Sequence, residues 1–305
     1  MERSLNATEK DLTSDTGRTD SRLSLLEVLR RTTRALSAVG ISQPRLEAEL
    51  LLGSGLGLSR LDLYLQFERP LEESELDRIR PLLRSRSQGR PLAYILGRKE
   101  FYGLTFEVRE GVLIPRPETE LLVELGLVVA DGATELKCVD LGCGTGCIGI
   151  AIAVSAASWH VDAVDLSESA VEIARSNAAR LGVAERVAIF QGSWSGPLRD
   201  RGRYDLIVSN PPYVTGAEFD ALDHGVRDFE PRQALDGGAD GLGCYRELLA
   251  QLPKIIAPGA TVLLEVDAGR ATSVVELIAR SWPGCAPQTH LDLSGRPRVV
   301  RVMLR

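Results

Sequence analysis

Asn210-Pro211-Pro212-Tyr213 follows the apolar run Leu206-Ile207-Val208, with only Ser209 between them. A strand ending in this tetrapeptide sets an amide side chain, two fixed φ angles and an aromatic ring at the mouth of a sheet. That set suits a planar nitrogen that is to be methylated. The nitrogen of an amide or an exocyclic amine is a poor nucleophile, because its lone pair is delocalised into the attached π system. The Asn210 side-chain oxygen and the Pro211 carbonyl can accept its two N–H groups. Tyr213 can stack on the flat group, which leaves the nitrogen facing an electrophile in line. Asn210, Pro211, Pro212 and Tyr213 are thus the candidate catalytic residues and candidate substrate contacts. The plain alternative is an ordinary Pro-Pro turn after a strand.

A second constellation can hold the electrophile. Val139-Asp140-Leu141-Gly142-Cys143-Gly144-Thr145-Gly146 precedes an apolar stretch over 148–154 and reads as strand, glycine turn and helix. The glycines permit positive φ and close backbone approach, and the helix start offers free N–H groups. Nucleotide-type cofactors dock at such turns, beyond the carboxyl ends of parallel strands. Two details favour S-adenosylmethionine over a dinucleotide. Asp140 stands inside the strand just before the glycines, and the spacing is G-x-G-x-G rather than G-x-G-x-x-G.

The next strand, His160-Val161-Asp162-Ala163-Val164-Asp165, ends on a carboxylate that can accept both ribose hydroxyls; Asp162 falls within the strand and suits the role less well. The competing role for Asp165 is an N-cap of the following helix, for which Ser167 is also placed. Gly192-Ser193-Trp194 lies where an adenine would be held. The candidate cofactor residues are therefore Asp140, Gly142, Cys143, Gly144, Thr145, Gly146, Asp165, Leu166, Ser193, Trp194 and Asn210.

The elements that must position these residues alternate short strand and helix, which predicts a doubly wound α/β domain. Strands are expected at 137–141, 160–164, 187–191, 205–209 and 260–266, with a helix over 167–181. A final antiparallel pair is expected from 289–293 and 298–304, joined by Ser294-Gly295-Arg296-Pro297. Upstream, Ser24-Leu25-Leu26-Glu27 is a capping-box pattern opening a helix that Gly40 stops. A second helix starts near Pro44 and is expected to end at Gly53. Shorter helical pieces cover 59–66 and 72–86, where Pro81 should kink or end the helix. Residues 94–113, broken by Gly97, Gly103 and Gly111, read as a β-hairpin linker.

Taken together, these blocks resemble the protein-glutamine N5-methyltransferases, in the branch that modifies class I peptide-chain release factors. The resemblance rests on Arg90-Pro91-Leu92-Ala93-Tyr94-Ile95-Leu96-Gly97, Phe101-Tyr102-Gly103-Leu104 and Val112-Leu113-Ile114-Pro115-Arg116-Pro117-Glu118-Thr119-Glu120. It rests equally on the glycine turn with its acid and on Val208-Ser209-Asn210-Pro211-Pro212-Tyr213. Glu230-Pro231 through Gly238, Asp240-Gly241-Leu242 and Tyr245-Arg246 also match, and the likeness runs from about residue 23 to the end. The Pro-Arg-Pro-Glu-Thr-Glu block is the specific part, since the related branch acting on a ribosomal protein differs there.

The resemblance implies a class I S-adenosylmethionine-dependent methyltransferase (Rossmann-like) domain preceded by a small all-helical domain and a hairpin linker. The polar, charged N-terminus reads as a disordered extension over 1–22; a helical substrate-recognition domain over 23–92 and linker plus catalytic domain over 93–305 are expected to follow. Arg116, Pro117, Glu118 and Thr119 are implied substrate contacts. The implied substrate is the glutamine of the Gly-Gly-Gln loop of class I release factors, in support of translation termination. Two positions depart from the family pattern: Ser193 stands where an acid is usual, and Asp267 where a glycine is usual.

Bulk properties fit a cytoplasmic enzyme. A chain of 305 residues with 44% hydrophobic residues can fill two cores. No apolar run reaches the roughly 20 residues needed to span a bilayer. The five cysteines (Cys138, Cys143, Cys147, Cys244, Cys285) form no C-x-x-C pair, and the three histidines are scattered, so reduced thiols and no metal are expected. A net charge of −6 argues against stable nucleic-acid binding. The local exception is Arg78, Arg80, Arg84, Arg86, Arg90, Arg98 and Lys99, either a solvated helix face or a partner-docking patch. Nothing requires more than a monomer. Two other readings stand beside the first: an adenine-N6 methyltransferase acting on DNA or RNA, and a non-catalytic binding protein that keeps the fold.

Overall fold

A computed structural model describes residues 23–129 and 135–304; the extension expected over 1–22 lies outside the described residues. The chain divides into two compact units between Leu96 and Gly97. Among the described residues no helix is long and apolar enough to cross a membrane.

The first unit is helical. Ser24 caps the helix Leu25–Ala38 by accepting from the Glu27 N–H. Only that half of the expected capping box forms, because the Glu27 carboxylate turns to Arg31 at 2.7 Å instead. Leu25, Val28, Leu29 and Leu36 from this helix pack with Leu51, Leu52, Leu63, Ile79 and Leu83 into one core. The second helix, Pro44–Leu56, runs past Gly53 and stops at Gly57, which has φ +68. Gly53 is small for another reason: a Cβ there would lie 2.7 Å from the Leu58 carbonyl, where the chain folds back. The helix Glu73–Ser87 likewise runs past Pro81. Pro81 and Asp77, whose carbonyl loses its intrahelical donor, are both exposed, so water can take that carbonyl.

Inside this unit the buried carboxylate of Glu49 receives Arg45, Arg60 and the Tyr64 hydroxyl. Burial works against its charge, but these three partners hold its pKa below the usual carboxylate range. Part of the basic cluster is likewise spoken for: Arg80 pairs with Glu73 and Asp77, and Arg86 with Glu47. Tyr94, expected in the hairpin, belongs to the short helix Leu92–Leu96, whose Tyr94 and Ile95 N–H groups both bond the Pro91 carbonyl.

The second unit opens with a hairpin, β1 (Arg98–Phe101) and β2 (Leu104–Glu107), closed by Tyr102-Gly103 with φ of 51 and 71. Positive φ at both central residues is the turn that matches strand twist. The main sheet has seven strands: β3 (Lys137–Leu141), β4 (His160–Asp165), β5 (Val187–Gln191), β6 (Tyr204–Ser209), β7 (Ile256–Glu265), β8 (Gln288–Leu291) and β9 (Pro297–Met303). Their order is β5-β4-β3-β6-β7-β9-β8. The first five pair in parallel, and β9 runs antiparallel to both β7 and β8.

The central strands are almost continuously buried, as befits a sheet covered on both faces. One apolar cluster includes residues of Cys147–Ser155 and Glu168–Arg180, together with Phe101 and Phe106 from the hairpin. Another includes residues of Gly243–Gln251 and Ala271–Ser281. Because β3 connects outward to β4 on one side and lies beside β6 on the other, the strand order reverses there. Ligands bind at the carboxyl ends of strands at such a point.

Candidate functional site

A cavity of about 420 Å³ opens at this reversal, within the range usual for small-molecule sites. Its floor is the glycine turn after β3. Gly142, Gly144 and Gly146 have φ of 76, 55 and 77, so each sits where a side chain is strained. The Gly142 and Cys143 N–H groups bond the Val164 carbonyl, which ties the turn to the end of β4. Gly146 serves packing as well, since a Cβ there would lie 2.7 Å from Ile150.

Asp165, the last residue of β4, lines the cavity. Its Oδ2 accepts the Gly144 N–H at 2.8 Å and its Oδ1 the Ser167 N–H at 2.9 Å. Burial raises its pKa and these backbone donors oppose the rise. Each oxygen keeps a free lone pair for a hydroxyl. The helix cap is Ser167, whose side chain accepts the Ala170 N–H, so Asp165 is left free of that task. Asp162 points elsewhere, to Arg201 and the Tyr204 hydroxyl.

Asp140 is fully buried behind the turn and outside the cavity lining. Its Oδ2 accepts the Gly149 N–H, while Oδ1 has no hydrogen-bond partner among the described residues. Burial raises its pKa to about 7. Leu166, Ser193 and Trp194 line the cavity, and Trp194 has φ of 47. A tryptophan in the left-handed region is strained. The Trp194 indole N–H is anchored on Glu247 at 3.2 Å.

Asn210 follows β6 and lines the opposite side, with its Nδ2 donating to Thr119 Oγ1 at 3.3 Å. Ser209 just before it bonds the Leu141 carbonyl at 2.5 Å and so ties the ends of β6 and β3 together. Pro212 lines the cavity, but Pro211 and Tyr213 do not. The Tyr213 side chain packs against the second core cluster, and burial pushes its pKa up to about 12, so it stays a neutral phenol.

The Pro-Arg-Pro-Glu-Thr-Glu block folds as the 3₁₀ turn Pro117–Thr119 leading into the helix Glu120–Val129. Arg116 and Thr119 line the cavity, whereas Pro117 and Glu118 do not. Arg116 donates to Glu230 at 2.5 Å, and the same buried carboxylate accepts the Ile114 N–H. Glu120 faces away and accepts the Tyr102 N–H of the hairpin turn.

Other lining residues carried no assignment from sequence. Val112 and Ala170 form an apolar wall with Ile173 behind them. Pro231, Gln233, Ala234 and Asp236 come from the segment that crosses over the Asn210 loop. In that segment Gly237 lies so close that a Cβ would sit 2.6 Å from the Tyr213 Cα. Asp165, Glu247 and Asp236 give the lining three carboxylates; Arg232 pairs with Asp236, and the lining's Arg116 is matched by Glu230, which leaves Asp165 and Glu247 without a basic partner among the described residues. The cavity is thus hospitable to a cation. Cys143 and Cys147 also line it, and burial pushes Cys143 well above the usual thiol range and Cys147 up to about 12. Of the two unusual positions, Asp267 accepts the Gly269 N–H and pairs with Arg270 outside the lining, whereas Ser193 is within it.

The family described as the PrmC N-terminal domain matches residues 27–97, and the methyltransferase small domain matches residues 118–226. A release factor glutamine methyltransferase of Geobacter sulfurreducens is 43% identical over 274 residues, covering 90% of this chain and 94% of that one. Its counterpart in Chlorobaculum tepidum is 41% identical, covering 85% of this chain and 90% of that one. A solved ribosomal protein L11 methylase from Lactobacillus delbrueckii subsp. bulgaricus aligns over 65% of this chain and 83% of that one. The two share 21% identity with a TM-score of 0.45.

Proposed function

The chain belongs to the release factor glutamine methyltransferases, and from that membership we propose how its own residues perform the reaction. It transfers a methyl group to a glutamine side chain of a release factor. The acceptor is the N5 amide of the glutamine in the Gly-Gly-Gln loop of a class I factor, and the enzyme works in the cytoplasm as a monomer. The observation that carries it is the convergence of Asn210, the glycine turn and Asp165 on one cavity at the sheet's reversal.

S-adenosylmethionine is the proposed donor, and when bound it supplies a methyl group made electrophilic by a sulfonium. The cavity suits it in three ways: positive-φ glycines allow close backbone approach, Asp165 keeps lone pairs for ribose hydroxyls, and the lining bears three carboxylates. Trp194, held by Glu247, offers a flat apolar surface for the base. Leu166 and Ser193 flank that region, and Thr145 and Cys143 complete the turn.

On the acceptor side the Asn210 Oδ1 and the Pro211 carbonyl would take the two N–H groups of the glutamine amide. Holding both keeps the nitrogen oriented and lets it pyramidalise as the new bond forms. No base with a tuned pKa is needed beforehand, because the proton becomes acidic only once the nitrogen is cationic, and it then leaves to solvent. Alignment therefore supplies most of the rate. The lining carboxylates would hold a sulfonium more tightly in the ground state than in the transition state, where its charge is smaller. Pro212, Arg116 and Thr119 bound the acceptor side of the cavity. The helical unit is proposed to grip the factor away from its loop, because a short peptide would bear its own ordering entropy of about 1–2 kcal/mol per residue.

An adenine amine is the other planar NH2 that such a loop could hold, but the net charge of −6 goes against a DNA or RNA substrate. Calorimetric titration with S-adenosylmethionine, followed by radiolabel transfer to a release factor and to an adenine-containing oligonucleotide, tests the proposal. Label on the factor alone supports it. Label on the oligonucleotide alone would replace it.

A further inference from the structure

The loop 192–195 is fastened on two sides. The Gly192 N–H bonds the Asp165 carbonyl at 2.9 Å, so the loop starts beside the carboxylate assigned to the ribose. Its other attachment is to the helix Gly243–Gln251, through two residues one turn apart on the same face. The Ser195 hydroxyl lies 3.3 Å from the Gln251 side-chain oxygen and 3.4 Å from its carbonyl. Glu247 Oε2 accepts the Trp194 indole N–H at 3.2 Å. The left-handed backbone of Trp194, with φ 47, is thereby over-determined, which is what a strained conformation requires. Glu247 also lines the cavity, and its Oε1 has no hydrogen-bond partner among the described residues. With no basic partner either, its carboxylate is not placed there for an ion pair.

Adenine is marked by an exocyclic amine, which donates hydrogen bonds and does not accept them. Of the lining side chains supplied by this loop and this helix, only those of Ser193 and Glu247 carry oxygen. A hydroxyl can donate or accept, so Ser193 cannot tell an amine from a carbonyl, whereas a carboxylate only accepts. We propose that Glu247 reads the base of the donor: Oε2 holds Trp194, whose face meets the ring, and Oε1 accepts the adenine amine. The inference rests on the placement of the donor given above. It makes one side chain both the anchor of the stacking surface and the group that selects adenine. The Glu247 and Trp194 positions are 53 apart in sequence, so the pairing is a product of the fold and not of a local motif.

Calorimetric titration of the full-length protein with S-adenosylhomocysteine and with S-inosylhomocysteine, in which a carbonyl oxygen replaces the amine, provides the test. The wild type should bind the adenosyl ligand roughly 10- to 100-fold more tightly, because the carbonyl would set oxygen against oxygen. Glu247→Gln keeps the shape and can still accept the indole N–H through its oxygen, but it turns an NH2 towards the base. It should weaken the adenosyl ligand and tighten the inosyl ligand, so that the preference collapses or reverses. A glutamate that only anchored Trp194 would lose affinity for both ligands alike and keep the preference, and that result would overturn the proposal. So would a preference that survives in Glu247→Gln but vanishes in Ser193→Ala. If Glu247→Gln fails to fold, the wild type alone decides with a third ligand that carries hydrogen in place of the amine. That ligand should bind more weakly than the adenosyl form and more tightly than the inosyl form; affinity matching the adenosyl form would overturn the proposal. Should the wild type bind none of the three, the reading of the donor site fails with it. Should it bind all three equally well, only the base-reading role of Glu247 fails.

Discussion

On the proposed reading two side chains, Asn210 and Asp165, divide the work at the site, and their substitutions should separate cleanly. Asn210→Ala should leave S-adenosylmethionine binding nearly intact while lowering turnover by about a hundredfold or more, the scale for one hydrogen bond aligned with the transition state. Near-normal turnover in that variant would remove the loop from the mechanism. Asp165→Ala should behave in reverse, with weaker donor binding and turnover recoverable at high donor concentration. If its donor affinity were normal, the ribose assignment would be wrong. Both residues were legible in the sequence because each directly ends or follows its own strand, so local pattern fixes its direction. The partners of Arg116 and Asn210 were not legible. Glu230 lies 114 residues from Arg116 and Thr119 lies 91 residues from Asn210, distances that no local spacing reports. The cavity's cysteines are kept harmless by burial, which holds Cys143 and Cys147 as thiols and so as poor nucleophiles towards a methyl donor.

The loop that carries Asn210 is shaped by the chain that crosses it. The Val214 N–H bonds the Leu235 carbonyl and the Gly237 N–H bonds the Val214 carbonyl, so this crossing is a backbone seam. Gly237→Ala would force a Cβ against Tyr213 backbone, and the seam must shift. The expected result is a large loss of turnover with donor binding kept, read from kcat beside a calorimetric titration; full activity would show the loop to be adaptable. Strand positions were mostly legible because buried parallel strands are near-continuous apolar runs. β7 is the instructive exception. It begins at Ile256 rather than 260, because Ile256 pairs with Tyr204 before a register shift that carries Pro258-Gly259 as a bulge. Gly53 and Tyr94 misled for a shared reason, that local punctuation yields where tertiary packing meets its cost; of the two outcomes expected at Pro81, the helix does not end there.

Across the whole molecule, the buried carboxyls tie stability to pH. Burial raises Asp140 and Glu265 each to about 7; Asp165 adds to the rise at Asp140, while at Glu265 Arg298 and Arg116 oppose it and Glu118 adds to it. Their unfolded values lie near about 4, so between roughly pH 4 and 7 the folded chain binds more protons than the unfolded one. Stability from these two groups is full below that window and is lost as pH rises through it. Asp240 and Asp292, lowered to about 2 by their hydrogen bonds, act in the opposite sense but only below the window. The donor-free protein should therefore melt at a higher temperature near about pH 5.5 than near about pH 8, and Glu265→Gln should flatten the difference. A Tm that climbs with pH in both proteins would contradict the assignment. The whole account turns on one covalent change in a second protein. A release factor incubated with this enzyme and S-adenosylmethionine is digested and sequenced by tandem mass spectrometry, with Asn210→Ala run in parallel. The account predicts one added methyl group on the side-chain amide of the Gly-Gly-Gln glutamine, present with the wild type and nearly absent with the variant. An unmodified glutamine beside a methyl group on any other residue, or equal methylation by both proteins, would contradict it.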